Sequence, residues 1–439
     1  MPKISRQRRD EVVDALRRGT VPTQGLDLLA VGLGAFEETL ADELEGVAAG
    51  GAKFKAVRGE YGTGKTFLSR WLAERARQMN FATSEVQISE TETPLHRLET
   101  VYRRMMERLR VPGTPSGAFR NILDGWFYTL EEDVLAEGLV SPDDQEELLA
   151  KSENLMEKRL EDVTRSAPMF SVALRAYHQA KARGDTSLAD GIAAWLAGQP
   201  NVAASIKRNA GIKGDIDHFG AMSFLQGLLT VLRDSGHAGL YLVLDEVETI
   251  QRVRGDVRDK SLNALRQFID DVDSGRFPGL YLMLTGTAAF YEGPQGVQRL
   301  EPLAQRLHVD FDTESRFDNP RAVQIRLSAF SLQKLSEVGR KVRDVYITHA
   351  QAPDRITKKS SDSYIDELAG AVTGKLGGKI GVAPRIFLKK LVSDVLDRID
   401  QFPEFDPHEH YKLTLQDAEM TATERQAASA DCVDDIELP

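Results

Sequence analysis

The sequence contains almost no cysteine. Among its 439 residues there is one, Cys432, which cannot form an internal disulfide or a multi-cysteine zinc site. The eight histidines never adopt the HExxH-like spacing of a zinc hydrolase. No stretch approaches the roughly 18 uninterrupted apolar residues of a membrane span, and the charged opening residues argue against a secretory signal. These absences exclude a disulfide framework and metal-centred hydrolysis, and they predict a cytoplasmic protein without membrane segments.

Charge is distributed unevenly along the chain. The net charge of -11 argues by itself against binding nucleic acid. Residues 321–398, however, contain fifteen Lys or Arg against eight Asp or Glu, whereas residues 416–439 contain seven acidic residues against one Arg. A basic region followed by an acidic tail therefore remains compatible with a polyanionic partner.

Buried strands alternate with helical periodicity, and this pattern predicts an α/β fold with a parallel sheet and right-handed crossovers. Strands are predicted at residues 53–57, 82–89, 240–244, 279–287 and 322–327. The segment between the second and third strands shows helical periods and almost no β signal, which indicates an all-helical insertion. The predicted domains are a discontinuous core at 1–110 and 237–330, the insertion at 111–236, a helical lid at 331–414 and a disordered acidic tail at 415–439.

A phosphate-binding motif follows the first predicted strand. Residues 59–66, GEYGTGKT, match G-x-x-x-x-G-K-[ST] at every fixed position. The glycines let successive N–H groups point into one concavity, and the next helix directs its positive end at the same phosphates. Lys65 is expected to reach the β- and γ-phosphates of ATP, and Thr66 to bind Mg²⁺. The predicted phosphate-binding residues are Gly59, Glu60, Tyr61, Gly62, Thr63, Gly64, Lys65, Thr66 and Phe67. The turn around Val31 and Gly32 is predicted to contact the adenine base of the nucleotide.

An acidic pair follows the third predicted strand. Asp245 is expected to reach the Mg²⁺ held by Thr66, normally through water, because Mg²⁺ keeps most of its hydration shell. Glu246 is expected to orient or polarise the attacking water, whereas Glu248 is interpreted as an acid at a helix start. Alone, an apolar run that ends in an acid is an ordinary strand terminus; downstream of a phosphate loop it favours hydrolysis.

Three more residues are candidates for the same site, each with a structural alternative. Thr285 is expected to contact the γ-phosphate or water, unless it only closes a strand. Arg306, with Arg299 as its competitor, would face the nucleotide of a neighbouring subunit if the protein forms a ring; otherwise it is a solvated surface arginine. Arg385 opens a lid helix, where a cation is unfavourable to the helix dipole, so we expect it to sense the γ-phosphate.

These segments together resemble the AAA+ class of P-loop ATPases, in the branch near origin-recognition initiators. More narrowly, the chain resembles the BrxC/BrxD-like ATP-binding family of bacteriophage-exclusion (BREX) systems, and within it is most similar to the BrxD branch. The resemblance is carried by RRGTVP at 17–22, GEYGTGKTFL at 59–68, TETPLHRLETVYRRM at 91–105, LVLDEVE at 242–248, LTGT at 284–287 and APRIFLKKLVSDVLD at 383–397.

The resemblance implies an ATPase that acts on DNA in antiviral defence together with a partner helicase. We expect ATP and Mg²⁺ as cofactors, double-stranded DNA as the cargo and a homo-oligomeric ring as the assembly. It implies nucleotide binding by Lys65 and Thr66, hydrolysis by Asp245 and Glu246, and sensor roles for Thr285 and Arg385. Initiators usually carry a winged-helix domain after the lid, whereas here a mostly acidic segment follows. We therefore expect any DNA contact to come from the core, the insertion or the basic lid.

Two other functions remain open at this point. The first is a signalling switch of the STAND type, in which ATP binding gates assembly and the insertion senses a partner. The second is a non-catalytic scaffold that holds ATP and recruits a helicase. A scaffold would tolerate Glu246→Gln but not Lys65→Ala, and a signalling switch would show no DNA-stimulated turnover.

Overall fold

The structure, a computed structural model, describes residues 4–138, 140–376, 383–421, 424, 425 and 428. Within these residues a parallel sheet has the strand order β2-β3-β4-β1-β5. Its strands are β1 (Lys53–Arg58), β2 (Ala82–Gln87), β3 (Leu240–Asp245), β4 (Leu280–Gly286) and β5 (Gln324–Arg326). The predicted α/β class with a parallel sheet is confirmed, and the five predicted strands correspond to the five observed.

Helices cover both faces of the sheet because its strands carry apolar side chains on both sides. Before the insertion the helices are α1 (Arg6–Arg17), α2 (Gly34–Ala48), α3 (Lys65–Gln78) and α4 (Leu98–Glu107). Leu44 of α2 and Trp71 of α3 share one apolar cluster with Val243 of β3. On the opposite face, Met105 of α4 lies in the cluster that contains Leu242. The core is therefore a three-layer arrangement.

Between α4 and β3 the described residues form helices joined by turns and loops, and β-structure is limited to isolated bridges near the start of this segment. Its helices are α5 (Ala118–Ala136), α6 (Gln145–Arg159), α7 (Glu161–Ser166), α8 (Pro168–Ala182), α9 (Thr186–Leu196), α10 (Ala204–Asn209) and α11 (His218–Asp234). Leu228 of α11 belongs to the same apolar cluster as Leu242 of the sheet. The insertion is thus packed directly on one face of the core.

After β3 the chain returns to the sheet and then forms the lid. The helices around β4 are α12 (Gly255–Asp273), α13 (Ala288–Glu292) and α14 (Glu301–Leu307). Those after β5 are α15 (Leu332–Ile347), α16 (Pro353–Lys359), α17 (Asp362–Lys375), α18 (Ala383–Lys390), α19 (Asp397–Gln401) and α20 (Pro407–His410). A π-helical turn, Leu391–Leu396, joins α18 to α19. None of the described helices has the length and apolarity needed to cross a lipid bilayer.

Helix α1 packs with the lid, although the sequence places residues 1–110 in the core. Its buried Val12 and Leu16 lie in the apolar cluster of the lid. Arg17 also forms a bidentate ion pair with Asp397, with Nε–Oδ2 and Nη2–Oδ1 distances of 2.8 Å. The Tyr346 hydroxyl donates to the same carboxylate at 2.7 Å. The first helix and the last part of the lid therefore form one packed unit.

The expectation of disorder from residue 415 is wrong for residues 415–421. Leu415 and Met420 pack against the apolar cluster of the lid, and Lys390 Nζ lies 2.9 Å from Glu419 Oε2. Apolar side chains and a complementary charge therefore fix this segment. The remainder of the predicted tail, apart from residues 424, 425 and 428, lies outside the described residues, as does Cys432.

We expect Asp397→Asn to lower the Tm of the protein. The substitution keeps an acceptor for Tyr346 but removes the charge that Arg17 pairs with, at a cost of roughly 1–3 kcal/mol. Differential scanning calorimetry measures the effect, with Asp190→Asn as the control because Asp190 and Arg120 form an exposed pair. A loss no larger than that of Asp190→Asn would contradict the stabilising role of the Asp397 carboxylate.

Candidate nucleotide-binding site

The phosphate loop joins the end of β1 to the start of α3. Gly62 and Gly64 have φ values of 82° and 93°, a left-handed conformation that only glycine adopts readily. A Cβ atom added to Gly59 would lie 2.4 Å from Thr63 Oγ1. A side chain at Gly62 or Gly64 would therefore strain the loop, and one at Gly59 would displace the Thr63 hydroxyl; the loop forms the concavity that its sequence predicts.

Lys65 lies across this concavity. Its ammonium group donates to the carbonyl oxygens of Gly59, at 2.7 Å, and Glu60, at 3.2 Å. These are neutral acceptors, so an anionic phosphate in the loop would be a stronger partner for the same ammonium group. The next residue, Thr66, donates its hydroxyl to Asp245 Oδ2 at 3.2 Å. The loop and the predicted acid are thus in direct contact.

Asp245 lies at the carboxyl end of β3 and is nearly fully buried. Burial raises the pKa of its carboxyl group; Glu85 and Glu246 raise it further, whereas hydrogen bonds from Thr285 and Thr66 oppose the shift. A buried carboxylate among other acids is costly without a compensating cation. The environment of Asp245 therefore suits a metal ligand.

Thr285 contacts Asp245 rather than the cavity. It is fully buried in β4, where it pairs in register with Val57 of β1. Its hydroxyl donates to Asp245 Oδ1, and it does not line the cavity in front of the loop. In the structure Thr285 therefore orients the aspartate, and its expected contact with the γ-phosphate or water stays a prediction.

Glu246 has a strained backbone and a fixed side chain. Its φ and ψ are 59° and 42°, a left-handed conformation that is uncommon for a residue other than glycine and is frequent at functional sites. Gln87, the last residue of β2, donates to Glu246 Oε2 at 2.8 Å. Gln87 was not predicted from the sequence. Its position could have indicated a role at the site, because it is a polar residue at the carboxyl end of the strand that pairs with β3.

Glu248 also belongs to the site. It lies in the first turn of the 3₁₀ helix Val247–Arg252, as the sequence suggests, but its side chain also lines the cavity. Its Oε2 atom is buried and has no hydrogen-bond partner in the described part of the chain. Burial raises the pKa of this carboxyl, while the charge of Lys65 lowers it. The site thus contains an acceptor that is ready for a ligand, water or cation.

A cavity of about 610 Å³ lies in front of the loop, between the sheet and the lid. This volume is within the usual range for small-molecule sites. Gly59 and Glu60 do not line it, but their carbonyl groups hold Lys65. Its walls include these residues expected from the sequence: Val31, Gly32, Tyr61, Gly62, Thr63, Gly64, Lys65, Thr66, Phe67, Asp245, Glu246 and Arg385. The walls that sequence reasoning missed include Arg316, Arg326, Phe330, Lys334 and Glu424.

Arg385 is held at the cavity by the C-terminal segment. Its Nε donates to Glu424 Oε1 at 2.9 Å, and its Nη2 donates to the carbonyl of Glu419 at 2.6 Å. The Glu424 side chain is fully buried and also accepts the backbone N–H of Thr421 at 2.7 Å. The Glu424 carboxylate therefore occupies donor atoms of Arg385 that a γ-phosphate is expected to contact.

Arg306 and Arg299 do not line the cavity. Arg306 pairs with Asp270 on α12, and Arg299 Nη2 lies 3.1 Å from Asp259 Oδ2 on the same helix. Both side chains are partly exposed. Their role toward the nucleotide of a neighbouring subunit stays a prediction.

The chain matches the model of a known protein family. A family model described as BREX system ATP-binding protein BrxC/D matches residues 4–415. The matched region covers the sheet, the insertion and the lid, and the model does not separate BrxC from BrxD. No curated protein matches the chain.

We expect Glu424→Gln to tighten ATP binding by about fivefold, because it removes the charge that competes for Arg385. Titration of a fluorescent ATP analogue measures the dissociation constant. Glu404→Gln is the control, since Glu404 is an exposed acid in the same region. An unchanged or weaker affinity in Glu424→Gln would show that the Glu424–Arg385 pair does not compete with nucleotide.

Proposed function

Because the chain belongs to the BrxC/D family of BREX-system ATP-binding proteins, we propose that it is an AAA+ ATPase that hydrolyses ATP with Mg²⁺. The carrying observation is the direct contact between the phosphate loop and the acidic strand end, made by Thr66 and Asp245. Glu246 lies beside this contact and lines the cavity. Phosphate binding, cation binding and water activation would then occur within one cavity.

The residues present fit ATP with Mg²⁺. Asp245, Glu246 and Glu248 bring three carboxyl groups to the cavity, and Lys65 is one of the cationic side chains that line it. The raised pKa values of Asp245 and Glu248 reflect burial without enough positive charge. Thr66 and Asp245 are the residues that would hold Mg²⁺, which supplies positive charge to the phosphates.

Each side chain would have a separate task during hydrolysis. Lys65 would exchange the carbonyl groups of Gly59 and Glu60 for phosphate oxygens, because a charge-assisted hydrogen bond is the stronger one. Glu246 would orient water and accept its proton, with Gln87 holding the carboxylate in place. Exchange of Glu424 for a γ-phosphate at Arg385 would couple the nucleotide state to the position of the lid.

We expect Glu246→Gln to lower the ATPase rate by about 100-fold or more, since it removes a general base, while ATP affinity stays near that of the unmodified protein. Lys65→Ala should lose nucleotide binding itself. Phosphate release and ATP titration measure the two properties, with Glu90→Gln as an exposed acid-to-amide control.

Both variants should also abolish phage defence in cells. Defence that survives Glu246→Gln but not Lys65→Ala would favour the ATP-bound scaffold over the enzyme. Normal turnover in Glu246→Gln would remove Glu246 from the mechanism altogether.

We extend the proposal to double-stranded DNA, to a helicase or another protein of the same defence system, and to a cytoplasmic homo-oligomeric ring in which Arg306 or Arg299 reaches the neighbouring nucleotide. The BrxD branch of the family is the proposed assignment. The support is the family membership and the resemblance to initiators. Much of the basic charge of the lid is engaged internally, since Arg385 pairs with Glu424 and Lys390 with Glu419. Of the three candidate regions for a DNA contact, we therefore propose the core.

Duplex DNA at low salt should raise the ATPase rate several-fold, and the stimulation should fall steeply as salt increases, because phosphate contacts release counterions. Steady-state ATPase assays with duplex, single-stranded DNA and no DNA measure this effect. A rate that is independent of duplex at low salt would contradict the DNA-dependent enzyme and would favour the signalling switch.

A further inference from the structure

A second, smaller cavity of about 60 Å³ lies at the β2 edge of the sheet. It shares no lining residue with the nucleotide cavity. Four arginines line it: Arg70 and Arg77 on α3, and Arg108 and Arg110 directly after α4. Glu85 is the acidic residue in its walls. The cavity is therefore strongly basic, in a chain whose net charge is negative.

One of the four arginines is neutralised. Arg70 forms a bidentate pair with Glu85, with Nε–Oε2 and Nη2–Oε1 distances of 2.8 Å. The other three form no ion pair with any carboxylate among the described residues. Arg77 donates instead to neutral oxygens, Thr83 Oγ1 at 3.3 Å and the carbonyl of Thr23 at 3.2 Å. Three positive charges thus surround the cavity without a negative partner.

The acids nearest to Arg77 already have other partners. Glu74 accepts the backbone N–H groups of Gly25 and Leu26, at 2.8 and 2.9 Å. Glu11 accepts the hydroxyl of Thr23. Burial lowers the pKa of Arg77, and the nearby charge of Arg110 lowers it further, although Glu74 and Glu11 oppose the shift. Glu74 and Glu11 thus act on Arg77 from outside the cavity, and among the described residues neither acid lines the cavity or forms an ion pair with Arg77.

Regular structure holds the arginines together despite this repulsion. Thr83 of β2 and Arg110 exchange two backbone hydrogen bonds, Arg110 N to Thr83 O at 2.9 Å and Thr83 N to Arg110 O at 2.8 Å. Ser84, the next residue of β2, donates its hydroxyl to the carbonyl of Met105 in α4 at 2.8 Å. The backbone that carries Arg110 is thus fixed beside the side chain of Arg77, on rigid elements.

We propose that this cavity is a binding site for a phosphate group, held by Arg77, Arg108 and Arg110. The planar donors of arginine match phosphate oxygens in pairs, and the volume admits a group the size of several water molecules. The phosphate has two possible sources, free inorganic phosphate or the phosphodiester backbone of DNA. The second source rests on the proposed DNA-dependent function, for which this cavity would be a contact on the core.

The test measures phosphate binding without the phosphate loop. In the full chain with Lys65→Ala, inorganic phosphate should raise the Tm relative to chloride at equal ionic strength, because a ligand bound only by the folded state stabilises it. Adding Arg110→Gln should abolish this rise. Adding Arg183→Gln, an exposed arginine of the insertion with the same loss of charge, should leave the rise unchanged.

The Tm of Arg110→Gln in chloride, without phosphate, shows whether Arg110 serves an anion site or has a structural role. Removal of one of three mutually repelling charges should leave the Tm of Arg110→Gln equal or higher in chloride, whereas a structural arginine would lower it. Arg110→Lys, which keeps the charge but loses the planar donors, should retain part of the phosphate effect. A phosphate-dependent rise that is equal in Arg110→Gln and Arg183→Gln would overturn the proposal.

A second measurement identifies the source of the phosphate. If the group belongs to DNA, Arg110→Gln should reduce the slope of log affinity against log salt by about one for a duplex, as expected for one lost phosphate contact. A lost phosphate effect with an unchanged DNA slope assigns the site to free phosphate. Neither readout depends on ATP turnover, so failure of the site is distinguishable from failure of the proposed ATPase.

Discussion

A buried carboxylate at the carboxyl end of the central sheet determines the arrangement of the site. Asp245 accepts hydrogen bonds from Thr285 on one side and Thr66 on the other, so it joins three neighbouring parts of the core. Because burial raises its pKa, the charged form is favourable only with a cation or strong donors nearby. The phosphate loop, the Glu246 turn and the lid surround the Asp245 carboxylate, where the proposed cation would stabilise its negative charge.

The sequence predicted those parts of the fold that depend on local periodicity. The five strands have strong local patterns, and so does the helix after the phosphate loop, α3, which extends over Lys65–Gln78. Short helices such as α7, α10 and α16 are not predictable individually, because six or seven residues give too few turns for a clear period. The packing of α1 on the lid was also missed, since its apolar stripe identifies a buried face but not its partner.

The candidate site divides in the same way. Lys65, Thr66 and Asp245 follow from motifs in which chemistry and spacing are local. The contact of Thr285 with Asp245 depends on strand register and hydroxyl direction, which a single sequence does not specify. The pair between Arg385 and Glu424 links residues 39 positions apart, and the sequence reading treated the second of them as disordered. Long-range partners of charged side chains were thus the least predictable part of the site.

The residues that line the nucleotide cavity are far apart in the sequence, and this has a consequence for folding during synthesis. Its walls begin at Leu16 and end at Glu424, so the cavity cannot be completed until the whole lid and the segment that follows it have left the ribosome. Contacts of such large sequence separation form late and slowly. A nascent chain would carry the phosphate loop for most of its translation without a closed site around it, and so would not trap ATP before synthesis of the lid.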